Sequence, residues 1–128
     1  MTKPVKVVRE DTTLQEVIAT LSSFDINSIV VVQEKRPVGI ITSRDALVRG
    51  FAQGLPAREI KARMVASAPV ITIDQEASLE EATDMMRKKH IKHLIVISNN
   101  ELVGIISAMD IIFALPSMLH TMEEVCRR

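Results

Sequence analysis

Two short segments of the chain each place a hydroxyl three residues before a carboxylate, just after a glycine and two isoleucines. They are Gly39-Ile-Ile-Thr-Ser-Arg-Asp45 and Gly104-Ile-Ile-Ser-Ala-Met-Asp110. A carboxylate in this place can accept both hydroxyls of a ribose, and free N–H groups at a helix start favour an anion such as phosphate. The same spacing is also a helix-capping pattern. These residues alone therefore leave both a ligand site and a structural cap open.

Both segments belong to a longer repeat that fills most of the chain. The segment 4–47 aligns with the segment 69–112 at a constant offset and without a gap, and 11 of the 44 aligned positions are identical. Such a duplication indicates two copies of one structural unit. Two copies usually pack about a pseudo-two-fold axis, so we expect any site on one copy to have a counterpart on the other.

Each repeat predicts the element order β-α-β-β-α. Leu14, Val17 and Leu21 recur at helical spacing, and the last helices are predicted to begin near Ser43 and Ala108. The strands are predicted at 5–8, 29–33 and 38–41 in the first repeat, and at 70–73, 94–98 and 102–106 in the second. The strands are apolar without alternation, which indicates that both faces are covered. The predicted fold class is therefore α/β, with α+β character.

The repeats set the expected domain limits. We expect a first repeat at 1–56, a linker at 57–68, a second repeat at 69–116 and a C-terminal helix at 117–128. In that helix, one apolar face would be lined by Met118, Leu119, Met122 and Val125. This face either packs on its own domain or forms a subunit interface.

Composition argues against several classes of partner. Lys+Arg and Asp+Glu balance at 16 each, whereas nucleic-acid binders normally carry a basic excess. No apolar run approaches the roughly 20 residues that a membrane span needs. The single Cys126 cannot form an internal disulfide, which fits a reducing cytoplasm. We therefore expect a cytoplasmic protein with no nucleic-acid or membrane partner.

No catalytic or metal-binding set stands out. His90 and His93 are three residues apart, but His93 falls before a predicted strand and only His120 remains as a third histidine. The repeat brings no nucleophile, base and orienting acid together. The sequence therefore predicts a protein that is not an enzyme and has no metal or cofactor.

The doubled unit, with its Gly-x-x-[Ser/Thr]-x-x-Asp motif in each copy, resembles a pair of CBS domains, the tandem called a Bateman module. Met64 ahead of Pro69-Val-Ile-Thr-Ile, the run Ile91-Lys-His-Leu-Ile-Val-Ile, and the turn before Leu102-Val-Gly also match. The resemblance covers the chain from Met1 to about Leu115. It implies that an adenosine ligand binds in the cleft between the two repeats.

The resemblance also implies the residues of two ligand sites. Asp45 and Asp110 would bind ribose hydroxyls, and Thr42 and Ser107 would contact phosphate or sugar oxygens. Residues before the middle strand of the opposite repeat would complete each site: Ile26, Asn27 and Ser28 beside Asp110, and Ile91, Lys92 and His93 beside Asp45. Adenine would lie against apolar walls formed by Ile40 and Ile105.

These two sites differ in charge. Lys92 and His93 add donors that suit phosphate, whereas Asn27 and Ser28 are neutral. Arg44 could also reach phosphate, and its counterpart in the second repeat is a methionine. We expect the site with Asp45 to bind phosphorylated ligand more tightly, and the other to prefer a less charged ligand or stay empty.

A sensor of adenine nucleotides is the function that the resemblance implies, with AMP, ADP or ATP as ligand and an unidentified effector protein as partner. One alternative changes the ligand to S-adenosylmethionine or NAD. Another is a protein-interaction scaffold with vestigial nucleotide sites. Family members commonly pair into disc-like dimers through their helices, which implies a homodimer with the helices from Ser43 and Ala108 at the contact.

Overall fold

A computed structural model describes residues 5–68 and 70–113 of the chain. These residues form two compact units. The first contains Val5–Val70 and Asn100–Leu102, and the second contains residues 71–99 and 103–113. The predicted C-terminal helix at 117–128, with its apolar face, lies outside the described residues.

The first unit is a three-stranded sheet with helices. Its elements are β1 (Val7–Arg9), α1 (Leu14–Ser23), β2 (Ser28–Gln33), β3 (Arg36–Thr42), α2 (Ser43–Ala52), a 3-10 turn (Ala57–Glu59) and α3 (Ala62–Val65). Strand β1 is parallel to β2, and β2 is antiparallel to β3, in the order β1-β2-β3. Helix α1 is the crossover between the two parallel strands, which can be joined only by such a long connection.

The second unit repeats this order. Its elements are β4 (Thr72–Asp74), α4 (Leu79–Lys89), β5 (His93–Ser98), β6 (Glu101–Ser107) and α5 (Ala108–Phe113). The sheet order is β4-β5-β6, with β4 parallel to β5. The predicted β-α-β-β-α repeat is confirmed. The first strand of each repeat begins two residues later than predicted, because its pairing with the middle strand starts only at Val7 and at Thr72.

The middle strand carries the core of each unit. Four consecutive residues of β2, from Ile29 to Val32, are buried, and so are three of β5, from Leu94 to Val96. This confirms that both faces of the middle strands are covered. Removing this apolar surface from water supplies most of the driving force for folding. The packed strands also fix the ends of β3 and β6, where the two hydroxyl–carboxylate motifs begin.

Candidate functional site

The first motif lies where β3 ends and α2 begins. Thr42 is the N-cap of α2, and its hydroxyl accepts a hydrogen bond of 3.1 Å from the Asp45 N–H. In return, the Asp45 Oδ2 accepts the Thr42 N–H at 3.0 Å. The side chain of Asp45 is only 16% exposed. The capping interpretation of this motif is therefore correct, but it uses only one lone pair of one carboxylate oxygen.

The second motif has the same geometry at the junction of β6 and α5. The Ser107 hydroxyl accepts the Asp110 N–H at 3.1 Å, and Asp110 Oδ2 accepts the Ser107 N–H at 2.8 Å. Within the part of the chain that the structure describes, Asp110 Oδ1 accepts no hydrogen bond. Asp110 thus keeps one oxygen for a ligand while it caps its helix; Asp45 also receives contacts from Ser67 and Arg49, but a carboxylate has about four lone pairs and so keeps some acceptor capacity.

The helix starts offer fewer free N–H groups than the sequence suggests. The Ser43 N–H donates to the Asn27 carbonyl at 2.9 Å, and the Ala108 N–H donates to the Lys92 carbonyl at 2.9 Å. Because the N–H groups of Asp45 and Asp110 are used by the caps, little remains for an anion. A phosphate at either motif would therefore depend on side-chain cations and hydroxyls.

The residues around the start of each middle strand lie beside the motif of their own repeat. Ser28 is directly opposite Thr42 in the β2–β3 register, and Ile26 packs against the core of the first unit. In the second unit, Ile91 packs against the core and Lys92 is exposed. That these residues complete a site on the opposite repeat stays a prediction.

The remaining site candidates differ in exposure. Ile40 on β3 and Ile105 on β6 are half-buried. Arg44 is exposed in the first turn of α2, and its side chain makes no hydrogen bond or ion pair within residues 5–68 and 70–113. An exposed and uncommitted guanidinium at this position can reach an anion at the helix start.

Among the candidate site residues, His93 lies in a setting that changes its pKa. Burial lowers the pKa of this half-buried imidazole below its ordinary value; the Asp110 carboxylate opposes that shift, and Lys92 adds to it. A ligand phosphate near His93 would stabilise the imidazolium and raise this pKa again.

We predict that acid destabilises the chain partly through His93. Because its folded pKa lies below the unfolded value of about 6.5, the unfolded chain binds the proton more readily. The free energy of unfolding should therefore fall as the pH drops from about 6.5 through the folded pKa. His93→Gln should make this fall shallower in urea titrations between about pH 7.5 and pH 5. His90→Asn, at an exposed position with a left-handed backbone (φ 54°), is the control. Equal pH dependence in both variants would contradict the prediction.

Two polar residues at the first motif were not predicted from the sequence. The Ser67 hydroxyl lies 3.5 Å from Asp45 Oδ1 and 3.4 Å from Oδ2, and Arg49 Nε lies 3.6 Å from Oδ1. The repeat alignment could have found Ser67, because Thr2 is its counterpart when the alignment is extended and also carries a hydroxyl. No such signal exists for Arg49, whose counterpart is Ala114.

Comparison with known proteins identifies the family. The CBS domain matches residues 1–49 and 58–117. The chain belongs to the CBS-domain family. An uncharacterized protein of Methanopyrus kandleri is 36% identical over 118 residues, which are 91% of this chain and 60% of that protein. The chain thus spans less than two thirds of that relative.

Solved structures of CBS proteins share the fold. A CBS domain protein of Pyrobaculum aerophilum, complexed with AMP, has a TM-score of 0.78 and 28% identity, covering 97% of this chain and 95% of that one. Hypoxic Response Protein I, with two coordinated zinc ions, has a TM-score of 0.80 and 30% identity, covering 91% and 95%. This chain is therefore a CBS-domain pair, the regulatory module predicted from its repeats.

The described residues of this CBS pair contain neither a group of metal ligands nor a membrane-spanning helix. No three or more His, Cys, Asp or Glu side chains in residues 5–68 and 70–113 are grouped so that they could hold a metal ion. Among the helices of the same ranges, none has the length and apolarity needed to cross a membrane.

An apolar groove lies on the helices of the first unit. It has a volume of about 530 Å³. Its walls include residues of α1, of α2 and of the segment after α2, among them Leu14, Ile18, Leu47, Phe51, Leu55 and Ala57. Phe51 is 87% exposed and Leu47 is 73% exposed. The candidate site residue Ile26 and Ser43 of the first motif also line this groove, whereas Asp45 does not.

Proposed function

We propose that this CBS pair is a non-catalytic sensor that binds AMP, ADP or ATP. The observation that carries the proposal is the pair of matching caps. In both repeats a carboxylate caps its helix through Oδ2 and keeps acceptor capacity for a ligand. A cis-diol such as ribose presents two hydroxyl donors, and a carboxylate can accept both. The AMP complex of the Pyrobaculum relative supports this ligand class.

The surrounding groups suit the rest of a nucleotide. The hydroxyls of Thr42 and Ser107 each accept a backbone N–H, so each keeps a proton to donate to a phosphate or sugar oxygen. Because few backbone N–H groups remain at the helix starts, the cationic side chains of Arg44 and Lys92, together with the imidazole of His93, are the donors that we expect to bind phosphate. Ile40 and Ile105 would provide apolar walls for adenine.

Regulation would act through a population shift. A ligand that binds one arrangement of the module more tightly than another stabilises that arrangement by the difference in binding free energy. The surface that an effector protein recognises would change with it. The cytoplasmic location predicted from the single cysteine belongs to the same proposal.

We also propose that the module is a homodimer. Helix α2 presents Leu47, Val48 and Phe51 to solvent, although all three are large and apolar. Exposed apolar clusters of this kind mark sites of protein association. A second copy would bring the same face and the same groove, as a two-fold interface requires. The resemblance to CBS dimers, which pair through helices, favours a second copy as the occupant.

Thermal unfolding with a panel of ligands tests the proposed ligand class. Circular dichroism should report it, because the chain has no Trp or Tyr for intrinsic fluorescence. A ligand at 100 times its Kd stabilises the folded state by about 2.7 kcal/mol, which raises the Tm of a domain of this size by roughly 8 °C. We expect that rise with AMP or ATP.

The other outcomes separate the alternatives. If the Tm rises only with S-adenosylmethionine or NAD, the site binds an adenosyl ligand other than AMP or ATP. The neutral side chains of Asn27 and Ser28 support this alternative. No rise with any of the four, from a folded protein, would contradict the sensor proposal. The exposed apolar face of α2 would then favour an interaction scaffold.

A further inference from the structure

Two polar groups other than the cap converge on the first carboxylate. Arg49 Nε lies 3.6 Å from Asp45 Oδ1, and the Ser67 hydroxyl lies within 3.5 Å of both carboxylate oxygens. The same guanidinium donates through Nη1 to the Ala66 carbonyl at 3.2 Å. Arg49 therefore joins the carboxylate of α2 to the backbone of residues 66 and 67, which follow α3 in the chain.

That backbone is itself bound to the end of β3. The Ser67 N–H donates to the Ile40 carbonyl at 2.8 Å, and the Ile40 N–H donates to the Ser67 carbonyl at 3.1 Å. Gly39 permits this close approach, because a Cβ at that position would lie 3.1 Å from the Ala66 Cβ. The segment therefore lies directly against the strand that ends at the motif.

We infer that Arg49 is a positioning residue of the first site, which couples the Asp45 carboxylate to the Ala66–Ser67 segment. A guanidinium has separate N–H groups in a rigid fork, so it can bind a carboxylate and a carbonyl at once. In the second repeat the corresponding residue is Ala114, which can do neither. An arginine at this position therefore occurs in the first repeat only, and it distinguishes the two sites by a residue outside the shared motif.

Amide hydrogen exchange of the ligand-free chain tests the coupling. We expect Arg49→Ala to speed exchange of the Ser67 and Ile40 amides about tenfold. Asp45→Asn should have a similar effect, because it removes the charge that attracts Arg49 but keeps an oxygen that accepts the Thr42 N–H. In the double variant, these amides should exchange little faster than in the faster single variant, because both substitutions remove the Arg49–Asp45 ion pair. Arg58→Ala, at an exposed arginine, is the control and should leave both amides unchanged.

Two results would overturn the inference. Unchanged exchange in Arg49→Ala would show that the guanidinium does not hold the segment. If Arg49→Ala speeds exchange but Asp45→Asn does not, Arg49 stabilises the segment through the Ala66 carbonyl alone and does not couple it to the Asp45 carboxylate. Arg49→Lys should give an intermediate effect, because one ammonium cannot reproduce the two-sided fork.

The consequence for ligand binding rests on the proposed function. In the Asp110→Asn background, where only the first carboxylate is intact, we expect Arg49→Ala to weaken AMP binding about tenfold by calorimetry, with Arg58→Ala unchanged. Equal affinity in the two variants would overturn this consequence. If the parent chain binds no AMP, the proposed function fails, while the exchange experiment still decides whether Arg49 couples Asp45 to the segment.

Discussion

The double variant Asp45→Asn, Asp110→Asn is expected to bind AMP about 100-fold more weakly than the wild-type chain. An amide has one acceptor oxygen, which stays engaged with the Thr42 or Ser107 N–H, and its NH₂ group opposes a hydroxyl donor. Hydrogen bonds to charged groups contribute about 1.5–3 kcal/mol each, so losing one or two at each site gives a change of this size. Calorimetric titration with AMP measures it.

Asparagine is chosen because it preserves the caps and therefore the fold. A control with the same change in charge is Asp11→Asn, Asp74→Asn, at two exposed positions outside the motifs and the predicted site residues. If this control loses as much affinity as the double variant, the effect is one of net charge and the assignment of the carboxylates is wrong. The single variants Asp45→Asn and Asp110→Asn report each site separately. If both single variants bind AMP with the same affinity, the prediction that the first site binds phosphorylated ligand more tightly is contradicted.

The double variant Leu47→Glu, Phe51→Glu is expected to convert the proposed homodimer into a monomer. In a two-fold interface each substitution appears twice, so four carboxylates would have to be buried near one another without partners. Breaking such an interface should weaken dimerisation by more than 100-fold. Sedimentation equilibrium measures the change, and circular dichroism checks that the chain stays folded.

A matched control adds the same two charges elsewhere. Gln15→Glu, Gln33→Glu changes two exposed polar residues of the same unit and should leave the dimer intact. A wild-type chain that sediments as a monomer would contradict the proposed homodimer. So would a dimer that survives both acidic substitutions on α2, since the contact would then lie on another face.

Most of the fold could be predicted because the chain contains an internal repeat, so its two halves can be aligned with each other. A gapless repeat at a constant offset fixes which segments are equivalent, and hydrophobic spacing then assigns the elements. Thr42 and Ser107 were predictable as caps because a hydroxyl and a carboxylate at this spacing satisfy local N–H groups, whatever the tertiary structure. Local chemistry of this kind can be inferred from a few neighbouring residues.

Contacts between distant residues were harder to predict. The N–H groups at the two helix starts were expected to be available for an anion, but the carbonyls of Asn27 and Lys92, which lie before the middle strands, accept them. Arg49 donates to the carbonyl of Ala66, a residue 17 positions further along the chain, and no short sequence motif predicts such a contact. The pKa shift of His93 also depends on tertiary burial. Such features require the packed unit, because the partners are brought together only by the fold.

The most direct test of the central claim compares AMP with 2′,3′-dideoxy-AMP by calorimetry on the wild-type chain. The two ligands share adenine and phosphate and differ only in the hydroxyls that Asp45 and Asp110 are proposed to accept. We predict measurable binding of AMP and roughly 100-fold weaker binding of the dideoxy compound. Equal affinity for both ligands, or no binding of either, would contradict the assignment of these carboxylates as the nucleotide site.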